Sequence, residues 1–124
     1  MFSTIFWLYL VNSVLLINHE IDSAYWHEWK MFKLPGGISF FLLIHFPLIF
    51  LVLYGMVLVF QQTTAGMVFS LCLSVSGILG CGIHAYHLKK GREEFRLPVS
   101  FLILAALLPV SLVQLGFTIH SLMD

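Results

Sequence analysis

The sequence predicts an all-α fold, a polytopic membrane protein with four transmembrane helices, and three observations predict it. The 124 residues are 60% hydrophobic and only 10% charged, with a mean hydropathy of +0.97. Four apolar runs are each long enough to cross a bilayer, and all six Lys and Arg fall within residues 30–33 and 89–96. A water-soluble domain of this length has no interior large enough to hide so much apolar surface. Period-two alternation is absent and the runs exceed barrel-strand length, so helices are the structure that satisfies the backbone in lipid. With a formal net charge of zero, nothing suggests nucleic acid as the main target.

The first span is expected over residues 2–20. It has no basic stretch before it and no small-residue cleavage site after it, and Asn18, His19, Glu20 and Asp22 follow its apolar part. It therefore reads as a retained helix rather than a secretory signal. No Pro or Gly interrupts the chain from there to Pro35, which favours helical continuation through the interface. Asn12, His19 and Trp26 recur every seven residues, with Asp22 and Ser23 filling the last turn, so a continued helix puts them on one face.

The second span is expected over residues 37–60. Its outlier is His45, eight residues in and so about 12 Å beyond Gly37 along a helix axis. A lone imidazole at that depth needs a partner, and the candidates by depth are His84, His87, His19, Glu20 and Asp22. The third span, residues 66–88, carries a stripe of small or polar residues: Ser70, Ser74, Gly77, Cys81 and His84, at helical spacing. Such a stripe lets helices approach closely and turns His84 toward the bundle interior, with His87 one turn further on. Cys72 and Cys81, nine residues apart, are half a turn out of phase at about 100° per residue and cannot pair. In the fourth span, residues 97–123, Gln114 and Thr118 are one turn apart and suit interhelical hydrogen bonds.

Orientation follows from the cations. With four spans, loops 21–36 and 89–96 share a side and hold every Lys and Arg, so the positive-inside rule makes them cytoplasmic and both termini external. The expected location is a cell membrane, a bacterial inner membrane in particular. Trp26, Trp29 and Tyr25 on the basic side, with Trp7 and Tyr9 in the other half, suit interfacial anchoring. Glu28 reads as a solvated interface charge near Lys30 or Lys33.

The two basic turns also resemble each other. Ala24-Tyr25 followed by Phe32-Lys33-Leu34-Pro35 recurs as Ala85-Tyr86 followed by Phe95-Arg96-Leu97-Pro98, and Pro47 and Pro109 recur in the helices that follow. One reading is a tandem duplication of a helical hairpin. The other is coincidence, since Pro is frequent in a first helical turn and basic and aromatic residues at any cytoplasmic interface.

The chemistry-bearing residues collect on the basic side. Imidazoles and carboxylates suit zinc, iron or manganese, and His19, His45, His84 and His87 are the candidate ligands. Glu20, Asp22 and Ser23 are the candidate catalytic groups, a carboxylate outside the ligand set moving protons and the hydroxyl orienting substrate. The stretch Asn-His-Glu-x-Asp-x-Ala-Tyr-Trp over residues 18–26 resembles a family of small, uncharacterised bacterial four-helix membrane proteins, along nearly the whole chain. A more distant likeness is to membrane proteins named for a His-x-x-Glu-Glu motif, where here Asp22 and Ser23 follow His19 at that spacing. Neither likeness implies an established reaction.

Two function classes follow. In one, a divalent metal and its bound water act on a lipid or another amphipathic substrate. In the other, the chain is an accessory or binding membrane protein, and the polar cluster staples helices, senses pH or recognises a headgroup or partner. The expected partners are the bilayer itself and either a lipid substrate or a second copy of the chain.

Overall fold

The computed structural model describes residues 2–124. They form α1 (Phe2–Tyr25), α2 (Glu28–Met31), α3 (Gly37–Phe60), α4 (Thr64–Lys89) and α5 (Pro98–Met123). The four long helices are each long and apolar enough to cross a membrane. At 24 to 26 residues they are about 36–39 Å long, longer than the ~30 Å hydrocarbon core they would span. The helical continuation expected past residue 20 runs five residues, to Tyr25, and there it stops.

What stops it is His27, which takes a left-handed backbone conformation at φ 54°. The chain reverses, and the short α2 folds back so that Trp29 and Met31 are buried under the bundle. The Leu34 amide closes this turn on the Trp29 carbonyl at 2.8 Å. Gly36, at φ 95°, then starts α3. Its conformation suits glycine, and a Cβ there would overlap the Phe40 side chain. At the far end, the Thr63 hydroxyl accepts from the Gly66 amide and caps α4. Pro98 occupies the first turn of α5, where its missing N–H costs nothing.

The long helices run alternately up and down. Tyr9 donates to the Val52 carbonyl at 2.7 Å, Ser70 meets Thr118 at 2.8 Å, and Asn12 reaches both Ser111 and Gln114. These pairs fix antiparallel neighbours. α1 packs against α3 and α5, and α4 packs against the same two. α1 and α4 run parallel and also touch across the bundle, whereas among the described residues α3 and α5 do not. That diagonal contact decides where the site lies, because both helices end at the basic side and both carry a histidine near that end.

The stripe on α4 faces inward as its spacing predicts: Ser70, Ser74, Gly77, Cys81 and His84 are all buried, and Cys72 is exposed. Gly77 lies so close to Ser111 that a Cβ would overlap its hydroxyl. Around that approach runs a ladder joining α1, α4 and α5. Asn12 donates to Gln114 at 2.7 Å, and Gln114 donates to the Ser70 carbonyl and hydroxyl at 3.1 and 3.0 Å. Each such bond in a membrane interior contributes about 0.6 kcal/mol, up to ~1.7. Tyr9 and Trp29, expected at the interface, lie inside instead, because Tyr9 bonds α3 and the turn at His27 folds Trp29 inward.

Candidate functional site

Three elements bring one polar side chain each to the basic end of the bundle. α1 supplies His19, α4 supplies His84, and α2 supplies Glu28. One ligand-type atom from each lies within 4.8 Å of the others, as a metal-holding group requires. The imidazoles of His19 and His84 meet edge to face, with ring centroids 4.5 Å apart. His84 Nε2 stands 3.7 Å from Glu28 Oε1. Three ligands around a tetrahedral ion at about 2.1 Å stand about 3.4 Å from one another, so side-chain shifts of about 1 Å would close the group on an ion.

Burial makes the group unusual. His19 is 3% and His84 2% exposed. His19 Nδ1, His84 Nδ1 and Glu28 Oε2 are buried with no hydrogen-bond partner. An orphaned buried polar atom costs about 1–3 kcal/mol, and each of the three residues carries one. Burial pushes the Glu28 carboxyl above the ordinary glutamate value. Every ion pair of a carboxylate among the described residues is with a histidine rather than with Lys or Arg. A carboxylate beside two neutral imidazoles carries a net negative charge that a divalent cation complements.

Phe95 closes the group from the side of the basic loops. Its ring lies 4.3 Å from that of His84 and 5.7 Å from that of His19, and the residue is 1% exposed. Its backbone is left-handed, at φ 64°. A bulky residue in that region is strained by about 1–2 kcal/mol and persists where packing over-determines it.

Other residues singled out in the sequence go elsewhere. His45 Nε2 is 2.6 Å from Glu20 Oε2, and its Nδ1 is 2.6 Å from the Phe41 carbonyl. The depth of His45 therefore has its explanation in Glu20, one of the partners that depth suggested. His87 packs edge to face against Phe32 and lies outside the group. Ser23 donates to the His19 carbonyl at 2.9 Å. Asp22 accepts from the Trp26 indole at 3.0 Å through Oδ1, leaving Oδ2 buried and without a partner.

Glu28 departs from its reading as a solvated charge. Its side chain is 16% exposed and faces His84, because the reversal at His27 carries it back under the bundle. The signal that could have found it was the density of ligand-type side chains over residues 18–29. Glu28 also lines a cavity of about 170 Å³ whose wall includes Glu20, His45, Phe41 and Leu48, so the carboxylate of the three-residue group and the Glu20–His45 pair open on one space.

A family model described as "Family of unknown function (DUF6713)" matches residues 5–121. No curated protein and no solved structure matches the chain.

Proposed function

The chain belongs to this family of unknown function, and from its own site we propose that it is a multi-pass membrane protein holding one divalent metal ion between His19, Glu28 and His84. The observation that carries this reading is the convergence of two buried imidazoles and a half-buried carboxylate, each with an atom that no protein group satisfies. Nitrogen and carboxylate ligands suit zinc first, with iron and manganese as the other ions of that donor set. Three protein ligands leave a fourth position, which in a zinc site is the place of an activated water. The chemistry this supports is hydrolysis of an amphipathic substrate. Asp22 and Glu20, beside His19 on α1, are the carboxylates available for proton transfer. Ser23 acts through its bond to the His19 carbonyl, which orients that turn of α1. By the positive-inside rule the basic end is cytoplasmic and the termini are external.

Metal analysis of detergent-purified full-length protein tests the reading. About one ion per chain is expected, lost in His84→Ala and Glu28→Ala and retained in His45→Ala. Folded protein that binds no zinc, iron or manganese when each is supplied would sink it. The second reading, an accessory membrane protein whose polar cluster staples helices, is favoured by one observation. The Glu20–His45 pair is already complete without an ion, and a metal-free protein with unchanged fold would select that reading.

A further inference from the structure

The two sides of the proposed metal site differ in what covers them. Toward the basic loops it is closed: Trp29 and Met31 of α2 are buried beneath it, and Phe95 covers both imidazoles. Toward the bilayer Glu28, alone of the three, reaches open space. The cavity that Glu28 lines is walled by Phe40, Ile44 and Leu48 of α3, all substantially exposed on a surface that lies against lipid in a spanning helix. Leu48 also lines two further cavities, of about 260 and 340 Å³, which continue along α3 against α1 and α4 as far as Val52. Together the three make one groove.

Its dimensions and lining limit what it takes. From Phe41 to Val52 is eleven residues, about 16 Å along the helix axis, which is about half of a ~30 Å hydrocarbon core and so one leaflet deep. The walls are apolar along that length, with Leu16, Val52 and Leu73 at the inner end. Carboxylate and imidazole groups enter the lining as Glu28 near the mouth and the Glu20–His45 pair, whose members satisfy each other. Phe32 and Leu34 flank the mouth, and the exposed Lys33 lies between them in the chain. An apolar slot one leaflet deep, with an exposed lysine in the loop beside its mouth, is complementary to an acyl chain joined to a phosphate headgroup.

We propose that the groove between α1, α3 and α4 holds one acyl chain of an anionic phospholipid, so that substrate reaches Glu28 and the metal from within the bilayer and not from water. The inference rests on the metal-site reading for what the lipid would meet, but the groove itself can be tested without it.

The test uses full-length protein in nanodiscs containing phosphatidylglycerol with a photoactivatable diazirine on one acyl chain, with labelled residues mapped by mass spectrometry. Labelling is expected at Leu48, Val52 and Leu16, exceeding that at Val113 and Phe117 of α5 roughly fivefold, and falling about as much in Leu48→Trp and Ile44→Trp. Both substituted positions are exposed, and circular dichroism on each variant verifies that its helices are intact. Metal content, measured on the same samples, is expected to stay constant. Equal labelling of the α3 groove and the α5 face, labelling untouched by both tryptophans, or crosslinking to a second copy of the chain in place of lipid would overturn the proposal. Groove labelling in metal-free protein would uphold the groove and remove only the metal reading.

Discussion

His45 and Glu20 face each other across 2.6 Å, imidazole Nε2 against carboxyl Oε2. The Phe41 carbonyl can only accept, so the contact at 2.6 Å assigns the Nδ1 hydrogen to His45. At Nε2, either imidazolium faces carboxylate or neutral imidazole accepts from the carboxylic acid. Both forms leave the pair with no net charge, which is what a lipid-side position tolerates.

Removing one partner of this pair leaves the other's polar group uncompensated. Glu20→Leu or His45→Leu alone is expected to destabilise the protein by about 3–5 kcal/mol, and the double variant by clearly less than either. Thermal unfolding of the four proteins in detergent checks this. Strict additivity would mean that the two residues do not act as a unit.

Glu28 predicts opposite pH slopes for the metal-free and the metal-loaded protein. Burial holds its carboxyl above the ordinary glutamate value, so the fold binds this proton more tightly than the unfolded chain does. Its contribution to metal-free stability is therefore full below the ordinary value and is lost as pH rises through the raised one. A bound ion needs the carboxylate and neutral imidazoles, so metal-conferred stability is lost as pH falls. Unfolding followed against pH for the wild type and Glu28→Gln, with chelator and with zinc, should show the stability difference between the two proteins changing with pH in opposite directions in the two conditions.

The fold was legible in the sequence where a period carried the information. Ser70, Ser74, Gly77, Cys81 and His84 lie on one helix face by spacing alone, and all are buried. His45 announced its need for a partner through depth, and Glu20 was among the candidates. Glu28 was not legible, because its place depends on one backbone angle, the left-handed φ of His27, and no periodicity or turn residue marks it. Phe95 was hidden for the same reason. A residue that covers the site from a loop has no face to be predicted from.

Phe95 sets two effects against each other. Phe95→Gly relieves about 1–2 kcal/mol of backbone strain, but it removes a ring buried against His19 and His84, worth about 3–5 kcal/mol. The net expectation is a loss of about 2 kcal/mol in unfolding free energy. Phe95→Ala, which keeps the strain and loses the ring, should cost more than Phe95→Gly. The reverse order would mean that the left-handed backbone carries no strain.

Gly77 and Ser111 make a second coupled pair, with Gly77 about two turns along α4 from His84. A Cβ on residue 77 overlaps the Ser111 hydroxyl. That hydroxyl could swing away only by giving up Asn12, whose amide reaches it at 3.2 Å. Gly77→Ala should therefore cost about 1–3 kcal/mol, the usual range for overpacking. Ser111→Gly alone should cost less, because Asn12 keeps its 2.7 Å bond to Gln114. With both changes the new methyl group enters the space that the hydroxymethyl group vacated, so the double variant should be more stable than Gly77→Ala by a margin that unfolding in detergent resolves. A double variant as unstable as the sum of the two singles would place the cost of residue 77 in helix geometry rather than in the close approach of α4 to α5.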